Sequence, residues 1–133
     1  MITRSVTVAK IRREYWQQIA AGGNRFELRD EEVEAGSQAF VFVDAKTGEH
    51  LGNARILACT IFGGYDASPW SWSMLSKLVE APVSELKELF PYADRLGAAA
   101  SSECEMYVYE ITPISDEELL RDILADVPKK RLN

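Results

Sequence analysis

Apolar and polar positions alternate or recur along the chain in a pattern that predicts its elements one after another. Residues Val6–Lys10 alternate as a strand does. From Arg12 to Ala21 the period lengthens: Tyr15, Trp16, Ile19 and Ala20 fall on one face of a short helix, and Gly22-Gly23 stops it. Asn24–Asp30 returns to a period of two, with Phe26 and Leu28 on one side and Arg25, Glu27 and Arg29 on the other. The acidic run Asp30–Glu34 reads as a solvated loop ended by Gly36. Gln38–Asp44, rich in Val and Phe, is the most strand-like stretch. A hairpin turn over Ala45–Glu49 leads into one long or bent strand, His50–Phe62, with a bulge expected near Gly52.

The second half is more helical. Gly63–Ala67 reads as a loop, and Ser68-Pro69 as the N-cap and first-turn proline of a helix reaching about Leu78. Pro82 opens another, Val83–Phe90, with Val83, Leu86, Leu89 and Phe90 inward and Pro91 as its stop. Tyr92–Ser102 is small and Ala-rich and gives no firm pattern. Cys104–Thr112 alternates again and Pro113 is expected to close it. Ser115-Asp116-Glu117-Glu118 forms a capping box for a last helix to about Ala125, before the basic tail Lys129–Arg131. The order β-α-β-β-β-α-α-β-α lacks the regular alternation of a doubly wound sheet. It predicts an α+β fold: a small, mostly antiparallel barrel decorated by helices.

Composition narrows the class. The 133 residues are 47% hydrophobic and 27% charged, enough apolar material for one compact domain over 1–133 and too much for disorder. No apolar run approaches a membrane span, and Met1–Ile11 lacks a signal-peptide core, so a cytoplasmic protein is expected. The net charge of −6 argues against a binder of long duplex DNA. That charge is uneven: residues 1–29 hold six basic and two acidic side chains, so a groove built from them could attract a phosphate.

The chemistry-bearing candidates are few. Cys59 and Cys104 have no metal-ligand spacing and are expected to be buried thiols. His50, the sole histidine, falls in a turn and is a poor nucleophile's base. No metal or cofactor is expected. Trp70, Trp72 and Tyr65 suggest a stacking platform, but positions i and i+2 of a helix do not share a face. Tyr107 and Tyr109 share a strand face and read as core, while Glu103, Glu105 and Glu110 mark the solvent side of that strand. The sharpest feature is the helix–Gly-Gly–strand junction. There Arg25, Glu27 and Arg29 form a donor–acceptor–donor comb that could read a base edge through Glu27 and hold a phosphate or carbonyl oxygen through an arginine.

The stretch Ile19–Arg29, I-A-A-G-G-N-R-F-E-L-R, resembles the signature G-x-K-x-x-E-x-R of ASCH domains, which are PUA-like barrels. Gly22, Glu27 and Arg29 take the glycine, glutamate and arginine positions, and the similarity of element order covers about residues 6–113, leaving 126–133 as a tail. The resemblance implies a PUA-like β-barrel that binds RNA or a nucleoside- or nucleotide-like molecule beside residues 22–29. Asn24, Arg25, Glu27, Arg29 and Lys10 would be the ligand-binding residues. Small bacterial members of the family include amidohydrolases of N4-acylated cytidines. Their proposed machinery is the motif lysine, a threonine three residues later and a glutamate in the helical insertion. Here those positions hold Asn24, Glu27 and, approximately, Glu80. Asparagine cannot supply a free-amine base or nucleophile, so that chemistry would need Lys10, Arg25 or Lys77 in its place. A hydrolase of a modified nucleoside, or a ribonuclease, with Glu27 or Glu80 as the catalytic general base, is the alternative reading.

Overall fold

In a computed structural model the described residues are 4–23, 25–63, 70–96 and 104–124. They form five strands and five helices: β1 (Ser5–Ile11), α1 (Arg13–Ala20), β2 (Phe26–Arg29), β3 (Ser37–Asp44), β4 (His50–Phe62), α2 (Trp72–Val79), α3 (Val83–Leu89), α4 (Pro91–Leu96), β5 (Met106–Ile114) and α5 (Asp116–Ile123). The class is mixed α+β, as the periodicities predict. The strands are hydrogen-bonded in the order β1-β3-β4-β5-β2. Among the described residues no ladder joins the two end strands of this order, so the closed barrel expected from the sequence is not seen. None of the described helices is long and apolar enough to cross a membrane. The chain forms two compact units, 1–23 with 33–56 and 112–133, and 24–32 with 57–111.

In the first unit β1 runs parallel to β3 (Val8 opposite Val41, Lys10 opposite Val43), and β3 runs antiparallel to β4. The parallel pair departs from the mostly antiparallel expectation. A crossover through α1 and β2 separates β1 from β3, and such a connection returns the chain in its original direction. The anticipated bulge is present: Phe42 faces Gly52 and Val43 faces His50, so Leu51 is left without an opposite number. α1 ends in a Schellman motif, with Gly22 at φ +80° and the Gly22 and Gly23 amides donating to the carbonyls of Ile19 and Gln18. Its inward residue Ile19 is buried, and Trp16 lies 5.8 Å from Phe42, which stacks on Phe40.

Polar ties secure α5 in this unit. The capping box at Ser115 and Glu118 forms as expected. Arg55 donates to Asp122 at 2.6 and 3.2 Å. Asn53, 1% exposed, meets His50 Nε2 at 3.0 Å and donates to Asp116 at 2.6 Å, which satisfies a buried amide from both ends. His50 is thus a strand residue tied to Asn53 rather than part of a turn.

In the second unit the strands β4, β5 and β2 carry a helical layer. Leu28, Met106 and Val108 pack with Trp70, Leu75, Val79, Leu86, Phe90 and Ala93. Three boundaries differ from the sequence reading. α2 begins at Trp72 under Ser71, whose hydroxyl accepts from the Met74 amide, while Ser68 and Pro69 lie outside the described residues. Trp70 therefore precedes the helix, and its ring meets Trp72 edge-on at 5.1 Å. It is buried, and its indole donates to the Cys104 carbonyl, so it offers no stacking platform; Tyr65 lies outside the described residues. Pro91 opens α4 instead of merely ending α3, and Leu89 faces solvent. Pro113 lies within β5 rather than closing it, beyond Tyr107–Glu110, the stretch that pairs with β2. Glu103, Ala98–Ala100, Ala125 and the tail Lys129–Arg131 lie outside the described residues.

One glycine is required by packing. A Cβ at Gly52 would stand 2.0 Å from Trp16 Cζ2, with two further ring atoms within 2.7 Å. Gly52→Ala is expected to destabilise the fold by roughly 2–3 kcal/mol through overpacking, measured by urea unfolding. Adding Trp16→Leu should recover part of that loss; full stability in Gly52→Ala alone would contradict this packing.

Candidate functional site

The four residues of β2 pair antiparallel with β5: Phe26 opposite Glu110, Glu27 opposite Tyr109, Leu28 opposite Val108 and Arg29 opposite Tyr107. Side chains of directly opposed residues share a face. Phe26 and Leu28 therefore join the helical layer, and Glu27 and Arg29 share the other face with two tyrosines. The Arg29 Nε stands 3.1 Å from Glu27 Oε1, with the two side chains 26% and 14% exposed. Burial pushes the Glu27 carboxyl up to about 7, and the Arg29 charge pulls against it.

The tyrosine rings stack with centroids 6.5 Å apart, and both are buried, as expected of core residues. Tyr107 donates to Glu105, and that hydrogen bond, followed by burial, pushes the phenol up to about 12. Cys59, on β4, engages the Tyr109 hydroxyl. It is exposed, contrary to expectation, whereas Cys104 is buried; both are free thiols. Burial and the charge of Glu32 push the Cys59 thiol up despite the Tyr109 hydroxyl, the opposite of what an activated nucleophile needs. The charge of Glu32, exposed on the acidic loop as expected, also raises Tyr107.

Of the predicted comb, Glu27 and Arg29 form an ion pair. Arg25 is exposed, and its guanidinium lies 5.7 Å from the centre of the Phe26 ring. Asn24 lies outside the described residues. Lys10 is exposed on β1, in the first unit. Glu80 is the exposed, left-handed C-cap of α2 (φ 56°); the charge that acts on Glu27 is Arg29. Sequence reasoning read Cys59 only as a buried thiol and gave no role to Glu105 or Glu32. Their proximity depends on which strand lies beside β5, which alternation within a single strand does not reveal. Among the described residues no group of three or more His, Cys, Asp or Glu is placed to hold a metal.

A carboxyl that titrates near neutrality beside a fixed cation can donate as well as accept a hydrogen bond, and can transfer a proton. It also leaves a mark on stability. Below about pH 4.5 folded and unfolded chains both hold the proton, and Glu27 has no effect. As pH rises towards 7 the unfolded chain ionises first, so folding loses stability, by roughly 3 kcal/mol in full above pH 7. Glu27→Gln should remove roughly 2 kcal/mol of the decline in unfolding free energy between pH 5 and pH 8. An unchanged pH slope in that variant would contradict the burial of the carboxyl.

No family model matches the sequence, and a sequence search of curated proteins finds no match. Solved structures do match. ASCH from Zymomonas mobilis aligns with 91% of this chain and 80% of its own at TM-score 0.53 and 14% identity. A Tyr-to-Phe mutant of that protein aligns with 94% and 85% at 0.51 and 18% identity. A protein from Enterococcus faecalis V583 aligns with 84% and 82% at 0.51 and 14% identity. With the helix–Gly-Gly–strand junction leading into a strand that carries Glu27 and Arg29, the chain has the fold of the ASCH domains.

Proposed function

We propose that the protein is a PUA-like, cytoplasmic module that binds single-stranded RNA or a nucleoside-like molecule at the Glu27–Arg29 face of β2. The observation that carries this reading is the half-buried pair itself. A carboxyl and a guanidinium 3.1 Å apart, set beside two stacked tyrosines, present acceptor and donor atoms on a partly desolvated surface. Glu27 takes hydrogen bonds from base amino or imide groups, and Arg29 donates to a carbonyl or phosphate oxygen. Arg25, at the edge of the junction, and Asn24 would contact the rest of the ligand. A short or single-stranded ligand suits the net charge of −6 better than a long duplex.

Fluorescence anisotropy with a short single-stranded RNA, and calorimetry with nucleosides, test the reading. Arg29→Ala and Glu27→Gln are each expected to weaken binding by at least about tenfold while the unfolding transition stays cooperative. Unchanged affinity in both folded variants overturns the proposal.

A second reading follows from the Glu27 carboxyl at about 7, where a general base is most effective at neutral pH. The substrate would be an acylated nucleoside or an RNA phosphodiester. Incubation with N4-acetylcytidine and with short RNA, followed by chromatography, decides it. Turnover lost in Glu27→Gln and kept in Glu80→Gln supports an enzyme using Glu27; the reverse assigns the base to Glu80. Retention without turnover leaves the binder.

A further inference from the structure

The opposite face of the same strands holds a cavity that the Glu27–Arg29 site does not use. It has a volume of about 90 Å³ and is walled by Phe26, Phe62, Ala58, Leu78 and Val108, with Thr60 and Glu110 supplying its polar atoms. All of these residues belong to the second unit. Glu110 sits directly opposite Phe26 in the β2–β5 ladder, so its carboxylate is held on the apolar face rather than with the polar row. It is half-buried, and among the described residues it has no ion-pair or hydrogen-bond partner.

We infer that this cavity is a site for a small alkylammonium ion, held between the Phe26 and Phe62 rings with its charge toward Glu110. Three features select that chemistry. The faces of aromatic rings carry negative electrostatic potential and attract cations, most strongly where water is thin. A carboxylate among alkyl and phenyl walls repels anions, and a neutral apolar guest would bury it without compensation. Ala58, Leu78 and Val108 suit methyl groups on the nitrogen, and the site, with Ala58 and Thr60 exposed at it, suits a small ammonium bearing a few carbons.

Titration of the isotopically labelled full chain with trimethylammonium chloride, followed by amide NMR shifts at constant ionic strength against sodium chloride, tests the site. Saturating shifts at Thr60, Phe62, Leu78, Val108 and Glu110 are expected, with little change at Glu27 and Arg29. Glu110→Gln should weaken binding by at least about tenfold. tert-Butanol, similar in shape but uncharged, should bind the unaltered protein at least about tenfold more weakly, a comparison that needs no variant to fold. Absence of saturating shifts, shifts confined to other surfaces, an unaffected Glu110→Gln variant, or equal binding of tert-butanol overturns the inference. Loss of RNA binding in Arg29→Ala with these shifts intact would separate this site from the one on the other face.

Discussion

The antiparallel ladder between β2 and β5 is the constraint on which the functional reading depends. It is only four residues long, yet it fixes the parity of every side chain that matters: Glu27 and Arg29 with Tyr109 and Tyr107, Phe26 and Leu28 with Glu110 and Val108. A slip of one residue would place Glu27 against Leu75, Val79 and the rest of the helical layer, and would turn Phe26 and Leu28 towards the polar row. The register is held because Leu28, 7% exposed, must be buried among those side chains. Hydrophobic packing on one face thus positions the ionisable pair on the other.

The approach to that ladder is equally specified. The Schellman motif at Gly22-Gly23 ends α1 at a defined residue, and the Ile111 amide accepts no choice of partner: it donates to the Arg25 carbonyl at 2.8 Å, extending the ladder by one step before β2 begins. Arg25 lies one residue before β2, exposed, with its guanidinium over the Phe26 ring.

Much of the fold was legible in the sequence because it is written in short-range rules. Period-two runs located β1 to β5 to within a few residues, the capping box located α5, and Gly52 marked the bulge. The parallel pairing of β1 with β3 was not legible, since nothing local distinguishes an edge strand's partner or its direction. For the site, Glu27 and Arg29 stood out as charges on a strand flanked by apolar neighbours. Their burial, the Cys59–Tyr109 contact and the influence of Glu32 were invisible, because each is set by residues distant in sequence. Spacing counted against Trp70 and Trp72 as a shared stacking platform, but what anchors Trp70 inside, a hydrogen bond to the Cys104 carbonyl 34 residues away, was not legible.

The Glu27 carboxyl also bears on why a folded protein would keep such a group. Its burial weakens the fold at neutral pH, and Arg29, 3.1 Å away, only partly offsets the lost hydration, as the carboxyl's rise to about 7 shows. Glutamine would fit the same space without the penalty. A destabilising ionisable group on a face that also carries a fixed cation is where binding or proton transfer gives a physical reason for its presence. Asp44 illustrates the contrast. It too is buried, but the Lys46 amide and then Arg13 hold its carboxyl below the ordinary range, so its charge supports the turn it sits in. One carboxylate has its hydrogen bonds supplied by the fold; the other has the charge of Arg29 set against its burial.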